Sequence, residues 1–156
     1  SDYYDVTYSY RLRWNDVVYT PGELKAVAYK DGQVVGDAVV RTAGLPAQLK
    51  LTQDRTHLRA DGDDLGYIMV EALDTKGTPN AVADNLIQFT VSGPAEIVGV
   101  GNGNPLSVEP FRADHRSLFY GKAMLIVRTL AGGKGTVHVR AHSEGLGSAS
   151  VELTVR

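Results

Sequence analysis

Apolar and polar residues alternate along most of this chain, and this alternation constrains the fold more than any other feature. In residues 137–142, VHVRAH, every second side chain is aliphatic, which is the period of a β-strand with one buried face. No segment carries an apolar stripe at helical spacing between capping residues. The sequence therefore predicts an all-β protein.

The alternating segments fall into two groups on either side of AGLPA, residues 43–47, whose Gly44 and Pro46 are typical of a linker. Three strands are predicted before it, over residues 10–19, 23–29 and 33–42, with a hairpin turn at Asp31-Gly32. Seven are predicted after it, over residues 48–58, 67–73, 86–92, 96–100, 122–129, 136–142 and 148–155. Polar or glycine-containing clusters separate these strands, as expected of turns.

Seven short strands in about 110 residues fit an immunoglobulin-like β-sandwich, in which two sheets bury alternate residues against each other. We predict such a sandwich over residues 46–156. Residues 1–45 are too few for a second sandwich and are predicted to be the C-terminal strands of a preceding immunoglobulin-like domain. The predicted core residues are Ile68, Val70, Ala72, Ile87, Phe89, Val91, Ala123, Leu125, Val127, Val137, Val139, Ala141, Val151, Leu153 and Val155.

The composition argues against several classes of partner. Sixteen Lys and Arg residues stand against eighteen Asp and Glu residues with no block of like charges, so nucleic acid is not expected to bind. No apolar run approaches the roughly 18 residues of a membrane span, so no membrane insertion is expected. Without cysteine, the chain has no disulfide and no thiolate metal site. Its start, SDYYDVTYSY, lacks an initiator methionine and a signal peptide, and we expect it to belong to a longer protein.

One connection is much longer than the others. Residues 101–121 separate two predicted strands, whereas most connections in compact domains have about 4 to 6 residues. Pro105 and Pro110 stiffen this segment, and the glycines on either side of Asn102 permit left-handed turns. We therefore predict an ordered loop that is neither a strand nor a compact turn.

Two hypotheses describe what this loop does. In the first, Phe111, Phe119 and Tyr120 fold back and cap the open end of the sandwich. In the second, the loop presents a polar, aromatic-lined surface to a neighbouring domain or to a glycan. The candidate contact residues are then Asn102, Asn104, Glu109, Arg112, Asp114, His115, Arg116 and Tyr120.

No cofactor or metal ion is expected from the sequence. Asp61, Asp63 and Asp64 could ligate a calcium ion, but ADGDDLG lacks the spacing and distal glutamate of an EF-hand, and we predict a solvated turn. His138 and His142 share a strand face about 13 Å apart, too far to hold one metal. GVGNG opens no helix, and no G-x-S-x-G elbow is present, so neither a phosphate site nor a serine nucleophile is predicted.

The N-terminal strands are predicted to need a partner surface. Trp14, the single tryptophan, lies in an alternating strand and is expected to be buried. Together with Leu12, Leu24, Ala26 and Ala28 it forms an apolar face that a closed sandwich would not cover. Either this segment packs onto residues 48–156, or it pairs with its copy in a second molecule. Because unpaired apolar strands favour pairing with another chain, we expect a symmetric dimer through residues 1–45.

Several stretches carry a resemblance to a known family. YRLRWNDVVYTPGELKAVAYKDGQVV resembles the end of an immunoglobulin-like domain that follows the catalytic barrel in bacterial family 2 glycoside hydrolases, the β-galactosidase group. LKLTQDRTHLRADGDDLGYIMVEALDTKGTPNAVADNLIQFTVSGPAEIVGVGNGNP and AGGKGTVHVRAHSEGLGSASVELTV resemble their C-terminal immunoglobulin-like domain. The second block is more loosely similar to the repeats of invasin and intimin adhesins, which share its ADG-x-D and D-x-x-G-x-P turns.

The resemblance implies a non-catalytic module. The family's acid/base glutamate follows an asparagine, this chain contains no Asn-Glu dipeptide, and a catalytic barrel requires about 200 residues or more of its own. The implied role is structural support of, or contact with, a barrel in upstream domains of the same polypeptide, in the periplasm or outside the cell. An adhesin-type spacer and a carbohydrate-binding module that contacts polysaccharide are the alternatives.

Overall fold

The computed structural model describes residue 18 and residues 20–156, and these residues form β-strands and their connections. The chain divides into two compact units, Ser1–Thr42 and Ala43–Arg156. None of the described residues belongs to a helix with the length and apolar character needed to span a membrane.

The described part of the first unit is a β-hairpin. Strands β1 (Glu23–Lys30) and β2 (Gln33–Arg41) pair antiparallel, as the sequence predicts. Asp31 and Gly32 form the turn between them with φ of 52° and 76°, the left-handed conformation that a two-residue hairpin turn requires. The predicted strand at 10–19, with Leu12 and Trp14, lies outside the described residues apart from Val18.

The second unit is a sandwich of two β-sheets. Its strands are β3 (Gln48–Gln53), β4 (His57–Leu58), β5 (Leu65–Leu73), β6 (Leu86–Ser92), β7 (Ala95–Gly101), β8 (His115–Ser117), β9 (Lys122–Thr129), β10 (Gly135–Ser143) and β11 (Gly147–Val155). One sheet has the strand order β4-β11-β10-β6-β8, and the other has the order β3-β5-β9-β7. The β4–β11 pair is parallel, and the other neighbouring strands of these sheets are antiparallel.

The predicted β-sandwich is confirmed, with two differences in its strands. The predicted strand over 48–58 is broken after Gln53, because the carboxylate of Asp54 accepts a hydrogen bond from the Tyr67 amide, 2.9 Å away. The chain then crosses to the other sheet, where Leu58 pairs with Val155. The second difference is β8, a short strand inside the long loop that was predicted to contain none. It exists because residues 115–117 pair with residues 86–88 of β6.

The core lies between the two sheets and contains most of the residues that the alternation predicts. The predicted inward-facing side chains of β5, β9 and β10 are all buried. Val91 and Val151 pack at the margin of the core and are only partly buried. Among the described residues, eight that are buried in the core were not in the predicted set: Leu49, Leu51, Leu58, Ala83, Ala95, Val100, Leu118 and Leu146.

The segment predicted as a linker is held against the sandwich. The amide of Gly44 donates to the carboxylate of Asp74 over 2.9 Å, and the side-chain amide of Asn80 donates to the Gly44 carbonyl over 2.7 Å. The Ala47 amide donates to the Leu73 carbonyl. The compact unit therefore starts at Ala43, before the predicted start of the domain at residue 46.

Candidate functional site

The long loop between β7 and β9 is organised around the buried guanidinium of Arg116. This residue lies on β8 with 7% of its surface exposed. Its Nη1 donates to the carbonyl of Glu109 over 2.9 Å, its Nη2 donates to Oδ1 of Asn102 over 3.3 Å, and its Nε lies 3.6 Å from Oε2 of Glu109. We call Asn102, Glu109, Arg116 and Ser117 the loop clamp, because they join the beginning, middle and end of the loop.

The carboxylate of Glu109 is the second centre of the loop clamp. Oε1 accepts hydrogen bonds from the amide and the hydroxyl of Ser117 over 2.9 and 2.8 Å, and Oε2 accepts one from the Ser107 hydroxyl over 3.1 Å. Burial opposes the ionisation of this carboxyl group, but the Ser117 and Ser107 hydrogen bonds and the charge of Arg116 outweigh burial and hold the pKa of Glu109 below its usual range. Glu109 is therefore an anion at neutral pH.

Asparagine side chains shape the start of the loop. Asn102 donates from its side-chain amide to the Ser117 carbonyl over 2.8 Å and accepts from the Asn104 amide over 3.0 Å. Asn104 in turn accepts from the Leu106 amide over 3.0 Å. Such side-chain bonds to the backbone two residues ahead are the usual means by which asparagine stabilises turns. Of the predicted contact residues, Asn102, Asn104, Glu109 and Arg116 thus make bonds that order the loop itself.

Of the remaining predicted contact residues, Arg112, Asp114 and His115 lie close together, and Tyr120 lies elsewhere. Arg112 lines an open cavity of about 450 Å³ together with Glu96, Asp114 and Arg128. His115 has its Nδ1 2.9 Å from Oδ1 of Asp114. The hydrogen bond with His115 holds the pKa of Asp114 below its usual range.

Tyr120 is 70% exposed and occupies the turn that leads into β9. Its ring meets that of Phe119 edge to face, with 4.5 Å between the ring centroids. Phe111 lies instead on the backbone of Gly99, where a side chain at residue 99 would collide with the ring. The Val100 amide donates to the Phe111 carbonyl over 2.8 Å, so the loop returns onto β7, the last strand of its sheet.

The aspartates of ADGDDLG form a hydrogen-bonded turn. Asp61 accepts from the amides of Asp63 and Asp64 over 3.0 and 2.8 Å. The buried carboxylate of Asp64 accepts from the Arg59 amide over 2.8 Å and from the Arg55 guanidinium over 2.9 Å, and these donors hold the pKa of Asp64 below its usual range. Among the described residues, no three His, Asp or Glu side chains are placed to hold a metal ion together.

One feature of this unit was missed by the sequence analysis, namely an apolar patch on an outer face. Tyr67, Met69, Met124 and Ile126 project from β5 and β9 away from the core, and none of them is fully buried. The uninterrupted apolar run AMLIV, residues 123–127, could have indicated it. A strand with only one covered face alternates instead.

Comparison with known protein families gives matches for most of the chain. A family model described as glycoside hydrolase family 2 C-terminal domain 5 matches residues 49–152. A second model, for a domain of unknown function, matches residues 3–36.

Individual relatives extend over nearly all of the chain. The β-galactosidase BoGH2A of Bacteroides ovatus is 44% identical over 138 residues, which are 88% of this chain and 16% of that protein. A β-glucuronidase of Formosa agariphila is 32% identical over 147 residues, 92% of this chain and 15% of that protein. A crystal structure of a glycosyl hydrolase family 2 member from Bacteroides cellulosilyticus superposes with a TM-score of 0.83 at 41% identity, covering 90% of this chain and 18% of that one. The chain thus spans about a sixth of the length of these two curated relatives.

Proposed function

The chain belongs to the glycoside hydrolase family 2 C-terminal domain 5 family, whose model matches residues 49–152, and we propose that it is a non-catalytic module of a β-galactosidase-type glycosidase. The module supports, through contacts between domains, a catalytic barrel that lies elsewhere in the same polypeptide. Its location in this proposal is the periplasm or the cell exterior, and fractionation of cells that express the complete polypeptide tests that point.

The carboxyl groups of Asp64, Asp74 and Glu109 support this proposal. A retaining glycosidase needs two carboxyl groups about 5 to 5.5 Å apart, one of them with a raised pKa so that it can donate a proton. The pKa values of Asp64, Asp74 and Glu109 are instead lowered, because each carboxylate accepts hydrogen bonds from the chain's own amides or side chains. These groups are suited to ordering loops and turns, and poorly suited to proton donation.

The first test is hydrolysis of aryl β-galactosides and β-glucuronides by residues 1–156 alone, with the complete polypeptide as positive control. We expect no turnover by the isolated chain. Turnover that disappears in a Glu109→Gln variant, in a preparation free of other glycosidases, would contradict the proposal.

The second test is deletion of residues 43–156 from the complete polypeptide. A supporting module contributes to the stability of its neighbours, so its removal should lower the unfolding temperature of the catalytic part. We expect a decrease of about 3 °C or more, the shift that roughly 1 kcal/mol produces in a domain of 150–250 residues. An unchanged unfolding temperature would contradict a supporting role.

The β1–β2 hairpin depends on strands beyond itself in this proposal. A single two-stranded hairpin is marginally stable in water, and Leu24, Val35 and Val40 are 64%, 63% and 67% exposed. In the complete polypeptide the hairpin pairs with the remainder of a preceding immunoglobulin-like domain. When residues 1–156 are produced alone, the hairpin of a second copy takes the place of that domain. Light scattering should therefore show a dimer for residues 1–156 and a monomer for residues 43–156. Two monomers would rule out the dimer.

A glycan contact is the alternative role for the loop. Arg112 and Tyr120 are its exposed polar and aromatic candidates. We expect no reproducible hit on a glycan array. A hit that is lost in Tyr120→Ala while the fold is retained would establish a carbohydrate-binding module instead.

A further inference from the structure

The two outer faces of the sandwich differ in polarity. Outward residues of a sheet with one solvated face are usually polar, and the five-stranded sheet follows this rule. Apart from Leu86, which is 53% exposed, the residues that its strands β6, β10 and β11 turn away from the core are polar, namely Gln88, Thr90, Ser92, Thr136, His138, Arg140, His142, Ser148, Ser150, Glu152 and Thr154. This face has the composition of a surface in contact with water.

The four-stranded sheet has an apolar patch at the centre of its outer face. In its two central strands, Tyr67 of β5 stands opposite Ile126 of β9, and Met69 stands opposite Met124. The inward neighbours of these residues are also apolar, so the central part of both strands is apolar on both sides. That pattern is typical of strands that are covered on both faces.

The apolar area continues onto β7 and includes the long loop. Glycines 99 and 101 stand opposite Ile126 and Met124, and the ring of Phe111 lies on Gly99. Two shallow cavities of about 300 and 340 Å³ border the methionines, one beside Gly101 and the other beside Thr52. We call the area formed by Tyr67, Met69, Phe111, Met124 and Ile126 the methionine face.

Charged pairs border the methionine face at two ends. At one end Lys122 lies 3.3 Å from Glu71, whose other neighbour across the sheet is Lys50. At the other end Arg128 lies 2.6 Å from Glu96. An apolar centre within a charged rim is the usual anatomy of a protein–protein contact.

We propose that the methionine face is the surface by which this module docks onto the catalytic part of its own polypeptide. This inference rests on the proposed function. The occupant follows from length, because the chain corresponds to 16% of the Bacteroides ovatus relative and the remainder of such a polypeptide is covalently held nearby. Linkage of this kind gives a high effective concentration, so an interface of about 600–1,500 Å² suffices between domains.

In this proposal the loop clamp positions one residue of the methionine face. The clamp fixes the return of the loop onto β7 and thereby holds Phe111 at the edge of the methionine face. Methionine side chains adapt to irregular partner surfaces, which suits the centre of a contact formed by two separately folded domains. The polar loop residues then act indirectly, by positioning Phe111.

The test compares the same substitution on the two outer faces. Met69→Lys places a charge at the centre of the methionine face, and Ser92→Lys places one on the polar face, beside His138. In residues 1–156 alone, both variants should unfold within about 2 °C of the parent chain, as surface substitutions do. In the complete polypeptide, Met69→Lys should accelerate proteolytic cleavage between the module and the catalytic part roughly tenfold, the effect of losing about 1.4 kcal/mol. Ser92→Lys should leave the cleavage rate unchanged.

Three other outcomes would change the assignment of the methionine face or the way it is tested. Equal cleavage rates for both variants overturn the docking face but leave the proposed function intact, provided that deletion of residues 43–156 still destabilises the enzyme. If Met69→Lys unfolds the isolated chain, Met124→Gln, which keeps the side-chain length, decides the question by the same assay. If residues 43–156 form a dimer that Met69→Lys dissociates, the occupant is a second copy and the proposal is wrong.

Discussion

At the scale of single residues, the turn before β9 shows how one glycine is required. Tyr120 and Gly121 have φ of 50° and 75° and connect Phe119 to Lys122, whose backbones exchange hydrogen bonds of 2.9 and 3.1 Å. A side chain at residue 121 would collide with the carbonyl oxygen of Asn80. Both the left-handed conformation and the lack of space therefore require glycine at residue 121.

We predict that Gly121→Ala destabilises the sandwich far more than Gly145→Ala. Gly145 has a φ of 79° and open space around it, so alanine there incurs only the conformational cost of about 1–2 kcal/mol. At Gly121 the collision adds about 1–3 kcal/mol. Urea unfolding of both variants measures the difference, and equal midpoints would show that the backbone near Asn80 moves aside without cost.

Asp74 makes the stability of the module depend on pH. Its carboxylate accepts hydrogen bonds from the amides of Gly44, Thr78 and Lys76, and these hold its pKa below the usual range. The Asp74 carboxylate therefore binds a proton at higher pH in the unfolded chain than in the folded one. The stabilisation by these hydrogen bonds is complete above about pH 4 to 5 and is lost as the pH falls further.

The corresponding prediction concerns Asp74→Asn. Only one of the two terminal atoms of an asparagine side chain accepts hydrogen bonds, so the variant loses bonds that the two oxygens of Asp74 accept from backbone amides. It should therefore be less stable than the parent at pH 7. Its free energy of unfolding should decrease less than that of the parent between pH 6 and pH 3, as measured by urea titration at each pH. A parallel decrease in both proteins would show that other carboxylates dominate the acid sensitivity.

At the scale of elements, the loop clamp should matter more than a surface ion pair of similar composition. Arg116 is buried, whereas the side chains of Arg128 and its partner Glu96 are 46% and 48% exposed. Removal of one partner from a buried pair costs about 3–5 kcal/mol, and an exposed pair contributes about 0–1 kcal/mol. We therefore predict a large loss of thermal stability in Arg116→Met and a small one in Arg128→Met, measured by calorimetry. Similar losses would mean that the loop is ordered without the clamp.

Strands with a regular alternation were predictable because they carry their own period. In β10 the alternation of Val137, Val139 and Ala141 with polar residues is visible without knowledge of any partner strand. The strand β8 was not predictable, because three residues carry no period and only their pairing with residues 86–88 makes them a strand.

The loop was predictable in composition but not in its internal bonds. Its length and its glycines indicated an ordered connection that returns to the sandwich. The partners of Glu109 and Arg116 are set by contacts between residues up to fourteen positions apart, such as Arg116 with Asn102. The anchoring of Gly44 by Asp74 likewise joins residues that are thirty positions apart. Sequence patterns within a short window carry no information on such pairs.

At the scale of the whole molecule, the second unit should fold without the first. It has its own core and includes the anchored segment from Ala43. We predict that deletion of residues 1–42 changes the unfolding temperature by no more than about 4 °C. Deletion of residues 151–156, which removes the buried Leu153 and Val155, should abolish cooperative unfolding. Circular dichroism during heating measures both, and a cooperative transition in the second variant would contradict the prediction.

The position of β11 has a consequence for how this domain is made. β11 is the last strand in the sequence, yet it lies inside its sheet, between β4 and β10. The end of β11 and the residue after it bond to β4, an early strand of the sandwich, and to the residue before β4, since the amides of Thr154 and Arg156 donate to the carbonyls of Thr56 and Leu58. The nascent chain therefore cannot complete the sheet until translation has passed residue 156. If translation stops inside this domain, the product lacks β11 and has an open core, and proteases can degrade it. A folded domain is therefore one whose translation was completed.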